Sequence, residues 1–131
     1  LKLFAAEGVR YVEGQWGPFN QEKPDGTLYT PDEAIAIVRA RLEKPDVKST
    51  GIEYRFQTTI IRFRADVEEQ IARLHQFTAA HRDLFVGINA AGREDNDKGH
   101  ALRMLSAFRL ARRTHGDIPL SLHAGEKDSP G

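Results

Sequence analysis

The chain has 131 residues, 40% hydrophobic and 29% charged, a mix expected of a folded domain in water. Lys plus Arg and Asp plus Glu each number 19, so no net charge draws it toward nucleic acid or an anionic membrane. The absence of cysteine excludes disulfides and thiolate metal sites, and no apolar run is long enough to cross a bilayer.

"GVRYVEG" (residues 8–14) reads as a short strand carrying Val9, Tyr11 and Val12. A long polar loop follows, "QWGPFNQEKPDGTLYT", with turn signals at Gly17-Pro18 and Pro24-Asp25-Gly26. Thr30 opens a helix: Thr30 and Glu33 have the spacing of a capping box, and Pro31 takes the first helical position. Ala34, Ile35, Ile37, Val38 and Leu42 form its apolar face, and Pro45 is expected to end it. "GIEYRFQTTIIRF" (51–63) reads as a strand, with Ile52, Tyr54 and Phe56 alternating with Glu53, Arg55 and Gln57. Val67, Ile71, Leu74 and Thr78 recur at helical spacing over 65–81. "DLFVGIN" (83–89) is a nearly continuous apolar run, as in a strand covered on both faces. Ala101, Met104, Leu105, Phe108 and Ala111 mark another helix that ends near Gly116, and "IPLSLH" is the last strand.

The order is β-loop-α-β-α-β-α-β, the signature of βαβ units and a parallel sheet. In such sheets the chemistry sits at the carboxyl ends of the strands. That rule selects Glu13 to Trp16, Thr59 to Arg62, Asn89 to Asp95 and His123 to Glu126. "EKPDVKST" and "RTHGD", at the opposite ends, read as solvated turns.

The last cluster, "LSLHAGE", carries the most chemistry. His123 ends a buried strand, Gly125 lets the backbone turn sharply, and Glu126 follows beside the imidazole. A neutral imidazole can bind zinc, and a carboxyl group near it can move a proton. A buried, hydrogen-bonded histidine is the plain structural alternative.

"LSLHAGE" resembles the fifth-strand motif of the adenosine deaminase family, whose members are zinc-dependent (β/α)8 barrels. "RYVEGQWGPF", "YTPDEAIAIV", "VGINAAGRED" and "HAGEKDSPG" follow in the family's order and spacing. "AGREDN" is especially similar to the branch holding the adenosine-deaminase-related growth factors and longer bacterial relatives. The resemblance implies an α/β fold, a partial (β/α)8 TIM barrel comprising about strands two to five with their helices. The 131 residues would be the central part of one barrel domain. The chain starts at Leu and stops at "SPG", as though cut from a longer protein.

Residue by residue, the resemblance implies that His123 is a zinc ligand, that Glu126 gives a proton to purine N1, and that the backbone N–H of Gly92 bonds purine N3. Asn89 stands where the family has Asp, and Gln15 where it has Arg; both departures bear on substrate specificity. The implied reaction is hydrolytic deamination of adenosine to inosine and ammonia, with Zn2+ as cofactor and a purine nucleoside as the small-molecule partner. A protonated Glu126 at neutral pH needs a raised pKa, for which a closed apolar site is the usual means.

A catalytic zinc needs about three protein ligands, and His123 is the single candidate here. His75, His81, His100 and His115 fall on helices or at their ends, in surface or capping positions. The family's other ligands, on strands one and eight, and its strand-six catalytic His lie outside these strands. Four strands do not close a barrel, so the remaining barrel strands are implied as partners. Arg109, Arg112 and Arg113 suit a solvated helix end. "REDND" is either an oxygen-ligand cation loop or a lead into the next helix, with Asp97 as a candidate cap. Trp16 and Phe19 line a base pocket or pack their own loop, and Glu13, at a strand end, is either a structural hydrogen-bonding partner or a group that supports the site residues from behind. Two function classes remain: a purine nucleoside deaminase, with another aminopurine as a variant substrate, and a non-catalytic binding or signalling relative on the same scaffold.

Overall fold

The computed structural model describes residues 1–93 and 99–125. The elements are α1 (Lys2–Ala6), β1 (Tyr11–Gln15), α2 (Pro31–Leu42), α3 (Pro45–Lys48), β2 (Glu53–Ile61), α4 (Val67–Ala80), β3 (Phe85–Ala91), α5 (Ala101–Thr114) and β4 (Leu120–Leu122). The strands form one four-stranded parallel sheet in chain order, β1-β2-β3-β4. The chain divides into two compact units, Leu1–Arg55 and Phe56–Gly131, with β2 running from one into the other.

In the first unit the predicted capping box forms. The Thr30 hydroxyl accepts from Glu33 N–H at 3.2 Å, and the Glu33 carboxylate accepts from Thr30 N–H at 2.8 Å. Two backbone donors that a helix start leaves without helical partners are thereby satisfied. Ala34 and Ile35 are buried, whereas Ile37 is 52% exposed. Pro45 does more than follow the end of α2. It takes the first turn of α3, so "EKPDVKST" is a short helix and not a plain turn. Val47 is buried there, and Arg41 grips Asp46 through paired hydrogen bonds of 3.0 and 2.8 Å. These bonds hold Asp46 below and Arg41 above their ordinary pKa values. The signal for α3 was a proline at a helix start with an acidic residue after it.

In the second unit β2 pairs with β3 from Phe56–Phe85 to Ile61–Ala91, with a bulge between Phe56 and Gln57. β3 pairs with β4 through Ile88–Leu120, Asn89–Ser121 and Ala90–Leu122. α4 packs against β3 and beside α5. Thr58 of β2 meets Thr78 of α4 at 3.4 Å, and Gln70 of α4 accepts from Ile61 N–H at 2.8 Å. The face of β2 that carries Thr58 and Ile60 is therefore the helix-covered one. By strand alternation Gln57, Thr59 and Ile61 lie on the other. The predicted α4 stripe of Val67, Ile71, Leu74 and Thr78 is buried throughout. Each of its aliphatic members contributes about 1.5–3 kcal/mol by burial.

One expectation is corrected here. His75 is not a surface or capping residue: it is 1% exposed, wedged between α4 and α5. Its Nδ1 lies 2.7 Å from the Ile71 carbonyl, which can only accept, so Nδ1 carries the proton. Its ring stands edge-on to Phe108, with centroids 6.2 Å apart. His75 thus serves as an apolar core group whose one polar tie stays on its own helix. The helix marked by Ala101, Met104, Leu105, Phe108 and Ala111 forms as α5, packed against α4, with Met104 and Ala111 buried and Leu105 40% exposed.

Candidate active site at the carboxyl ends of the strands

The carboxyl ends of β2, β3 and β4 come together in the second unit. Arg62, just past β2, donates its backbone N–H to the Ala91 carbonyl at 3.0 Å. His123, just past β4, donates its backbone N–H to the Ala90 carbonyl at 3.0 Å. The sheet ladder therefore runs one residue beyond each strand and fixes His123 in register beside the end of β3. Nη2 of Arg62 donates to the His123 carbonyl, reaching across the end of β3. Arg62 is only 6% exposed, so its charged head is held in place rather than left in solvent.

Gly92 follows β3 with φ +109°, in the left-handed region that favours glycine. A Cβ there would lie 2.9 Å from the Phe63 ring. The chain can pass between Arg62 and Phe63 because this residue has no side chain. Gly125 also has a positive φ, +72°, as the sharp turn after His123 requires.

Asn89 is 1% exposed although it is polar and follows an apolar run. Its Oδ1 lies 3.3 Å from the Ser121 hydroxyl, which also lies 3.0 Å from Gln57 Oε1. Gln57, Asn89 and Ser121 therefore share the helix-free face. Asn89 Nδ2 and His123 Nδ1 are both buried without a hydrogen-bond partner among the described residues. Buried polar atoms are seldom left so, and Nε2 of the core residue His75 is in the same state.

Of the residues selected from sequence, His123 and Gly92 thus stand at neighbouring strand ends, with Asn89 one strand position behind Ala90. Glu126 and the stretch Glu94 to Asp97 lie outside the described residues, so the proton-donor and "REDND" expectations do too. The start of α5 is capped by His100, whose Nδ1 accepts from Leu102 N–H at 3.3 Å, and the Asp97 expectation lies outside the described residues. His81 and His115 cap the carboxyl ends of α4 and α5. In the first unit Glu13 lies in the middle of β1 and not at its end, and its carboxylate accepts from the Tyr11 hydroxyl at 2.7 Å, while Trp16 and Phe19 are half-buried. Gln57 and Ser121 were not singled out as site residues. The available signal was a serine inside the apolar run "IPLSLH".

For zinc, the donor chemistry of His123 fits one ligand: an imidazole with a buried ring nitrogen lacking a partner. Among the described residues no group of three His, Asp or Glu side chains could hold a metal. A hollow of about 740 Å³ lies elsewhere, between α4 and α5, bordered by Glu68, Gln76, Leu110 and His115. It includes none of the strand-end residues. No protein-family model matches the chain, and no curated protein matches it.

Proposed function

We propose that the chain is the central part of a zinc-dependent purine nucleoside deaminase, about strands two to five of a (β/α)8 barrel. The observation that carries this reading is His123 at the carboxyl end of a parallel strand, in register beside β3, with Gly92 at positive φ just past it. A second support is the polar helix-free face of Gln57, Asn89 and Ser121, which in a closed barrel would be the interior.

In this reading His123 supplies one zinc ligand, and barrel strands beyond this chain supply the others. Zinc, when bound, lowers the pKa of water and supplies hydroxide at neutral pH. Water adds at C6 of the purine, and ammonia leaves from the same carbon. Glu126 gives its proton to N1, so the ring accepts the electron pair as the new C–O bond forms. The N–H of Gly92 orients the base through N3. Arg62 keeps the backbone of His123 from shifting while the imidazole bears a ligand.

The test is made on the complete polypeptide that carries this segment. Zinc is measured by elemental analysis, and adenosine-to-inosine conversion is followed by ultraviolet absorbance. Bound zinc with turnover is expected. Zinc-free protein that binds a nucleoside without converting it would favour the binding-module reading instead.

A further inference from the structure

Two ionisable side chains are buried among the described residues, Arg62 and His75. An arginine keeps its charge at any working pH, whereas an imidazole changes charge near neutrality. The His75 ring sits in the seam between α4 and α5. Its Nδ1–H donates to the Ile71 carbonyl of its own helix at 2.7 Å, and the ring stands edge-on to Phe108 of α5. Nε2 is buried with no hydrogen-bond partner among the described residues. In the neutral ring that atom is an unpaired acceptor. Protonation makes it an unpaired donor on a buried cation, which is far costlier. Two charged groups act on the ring, His115 and Arg112, from the cap and last turn of α5, and each opposes a further positive charge. Its own helix carries Glu68, Glu69 and Arg73, none of which acts on the ring. β3 and residues 56–61 of β2, which face α4 across the core, carry no ionisable side chain.

α5 is anchored near both ends. Arg103 Nη2 donates to the carbonyls of Arg64 and Ala65, each at 3.1 Å. Beyond the helix Ile118 is buried, and β4 joins the sheet. Between these anchors the second half of α5 buries Ala111 and leaves Leu110 65% exposed. The hollow of about 740 Å³ borders this same half. Leu110, Ala111, Thr114 and His115 line it from α5, with Ala72 and Gln76 from α4, on either side of His75 along the helix. Open space therefore already lies beside the seam that the ring occupies.

We infer that His75 is a pH-sensitive latch: neutral, it lets the second half of α5 lie against α4, and protonated, it releases that half while the anchored ends hold. Release brings water to Nε2 and solvates the charge. A helical segment without its packing partner frays, because most helical stability in proteins comes from tertiary contact. Burial disfavours the cation in the closed form, so the opened form binds the proton more readily, and acid shifts the population toward it.

Amide hydrogen exchange on the complete polypeptide that carries this segment tests the latch, with protection taken relative to an unstructured chain at each pH. Protection of amides 108–114 is expected to fall by up to about tenfold per pH unit below about 6.5. The fall should be insensitive to low urea, because a local opening exposes little surface. Amides of β3 should stay better protected and respond to urea. In His75→Gln the acid-side fall should disappear. The wild-type ring, titrated by NMR, should protonate below about 6.5, and this decides even where the variant does not fold. Four results each overturn the latch: protection of 108–114 that is constant with pH, a fall that matches β3 in size and urea response, a fall that persists in His75→Gln, or a ring that titrates at or above its ordinary value.

Discussion

The guanidinium of Arg62 donates to the backbone carbonyl of His123, joining residues 61 positions apart across the end of β3. Removing it leaves that carbonyl without this partner at the edge of the core, at a cost of about 1–3 kcal/mol. Arg62→Met keeps most of the side-chain volume and should lower the urea midpoint by the corresponding amount with an unchanged slope. An unchanged midpoint would mean that the carbonyl finds another donor.

Gly92→Ala meets two penalties together, a positive φ and a Cβ 2.9 Å from Phe63. A loss of about 1–3 kcal/mol is expected from the backbone conformation. Adding Phe63→Ala removes the steric part and leaves the conformational part. In a double-mutant cycle the alanine at 92 should therefore destabilise less when Phe63 is already gone. Additive effects would show that the ring moves aside freely.

Thr30→Ala breaks the capping box of α2. The expected destabilisation is about 1 kcal/mol, measured by denaturation. Thr30→Ser should restore most of it, because the hydroxyl is the accepting group.

Burial pushes the His75 imidazole below its ordinary pKa, with His115 and Arg112 adding to the effect and the Ile71 carbonyl opposing it. The unfolded chain then binds a proton at His75 more readily than the folded one. Its contribution to stability is full above the unfolded value of about 6.5 and is lost as pH falls toward and through the lower folded value. His75→Gln should flatten this acid-side loss relative to the wild type in denaturation measured from pH 7.5 to about 5. An identical pH dependence in both proteins would assign the titration to another group.

Glu126→Gln and His123→Ala separate proton donation from metal binding. Glu126→Gln should retain zinc and lose on the order of 10²–10⁴-fold in turnover. His123→Ala should lose zinc and activity together, because a ligand is gone. Near-normal turnover in Glu126→Gln would remove the carboxylate from the reaction. Full zinc content in His123→Ala would make the imidazole structural.

The βαβ order, the α2 capping box and the α4 stripe were legible in the sequence because their signals are local. A capping box spans four residues, and a helix face repeats every three or four. The ends of β2, β3 and β4 were legible because polar residues interrupt apolar runs there, but β4, expected as a buried strand, leaves Ser121 and Leu122 exposed. Which face of β3 the helices cover was not legible. "FVGINA" is apolar on both sides except at Asn89, so the two-residue alternation that reports a strand's faces is lost. The pairing of Asn89 with Ser121, the reach of Arg62 to His123 and the burial of His75 against Phe108 all join segments far apart in the chain. Register and helix packing decide such contacts, and a one-residue slip in either would send the same side chains to the opposite face.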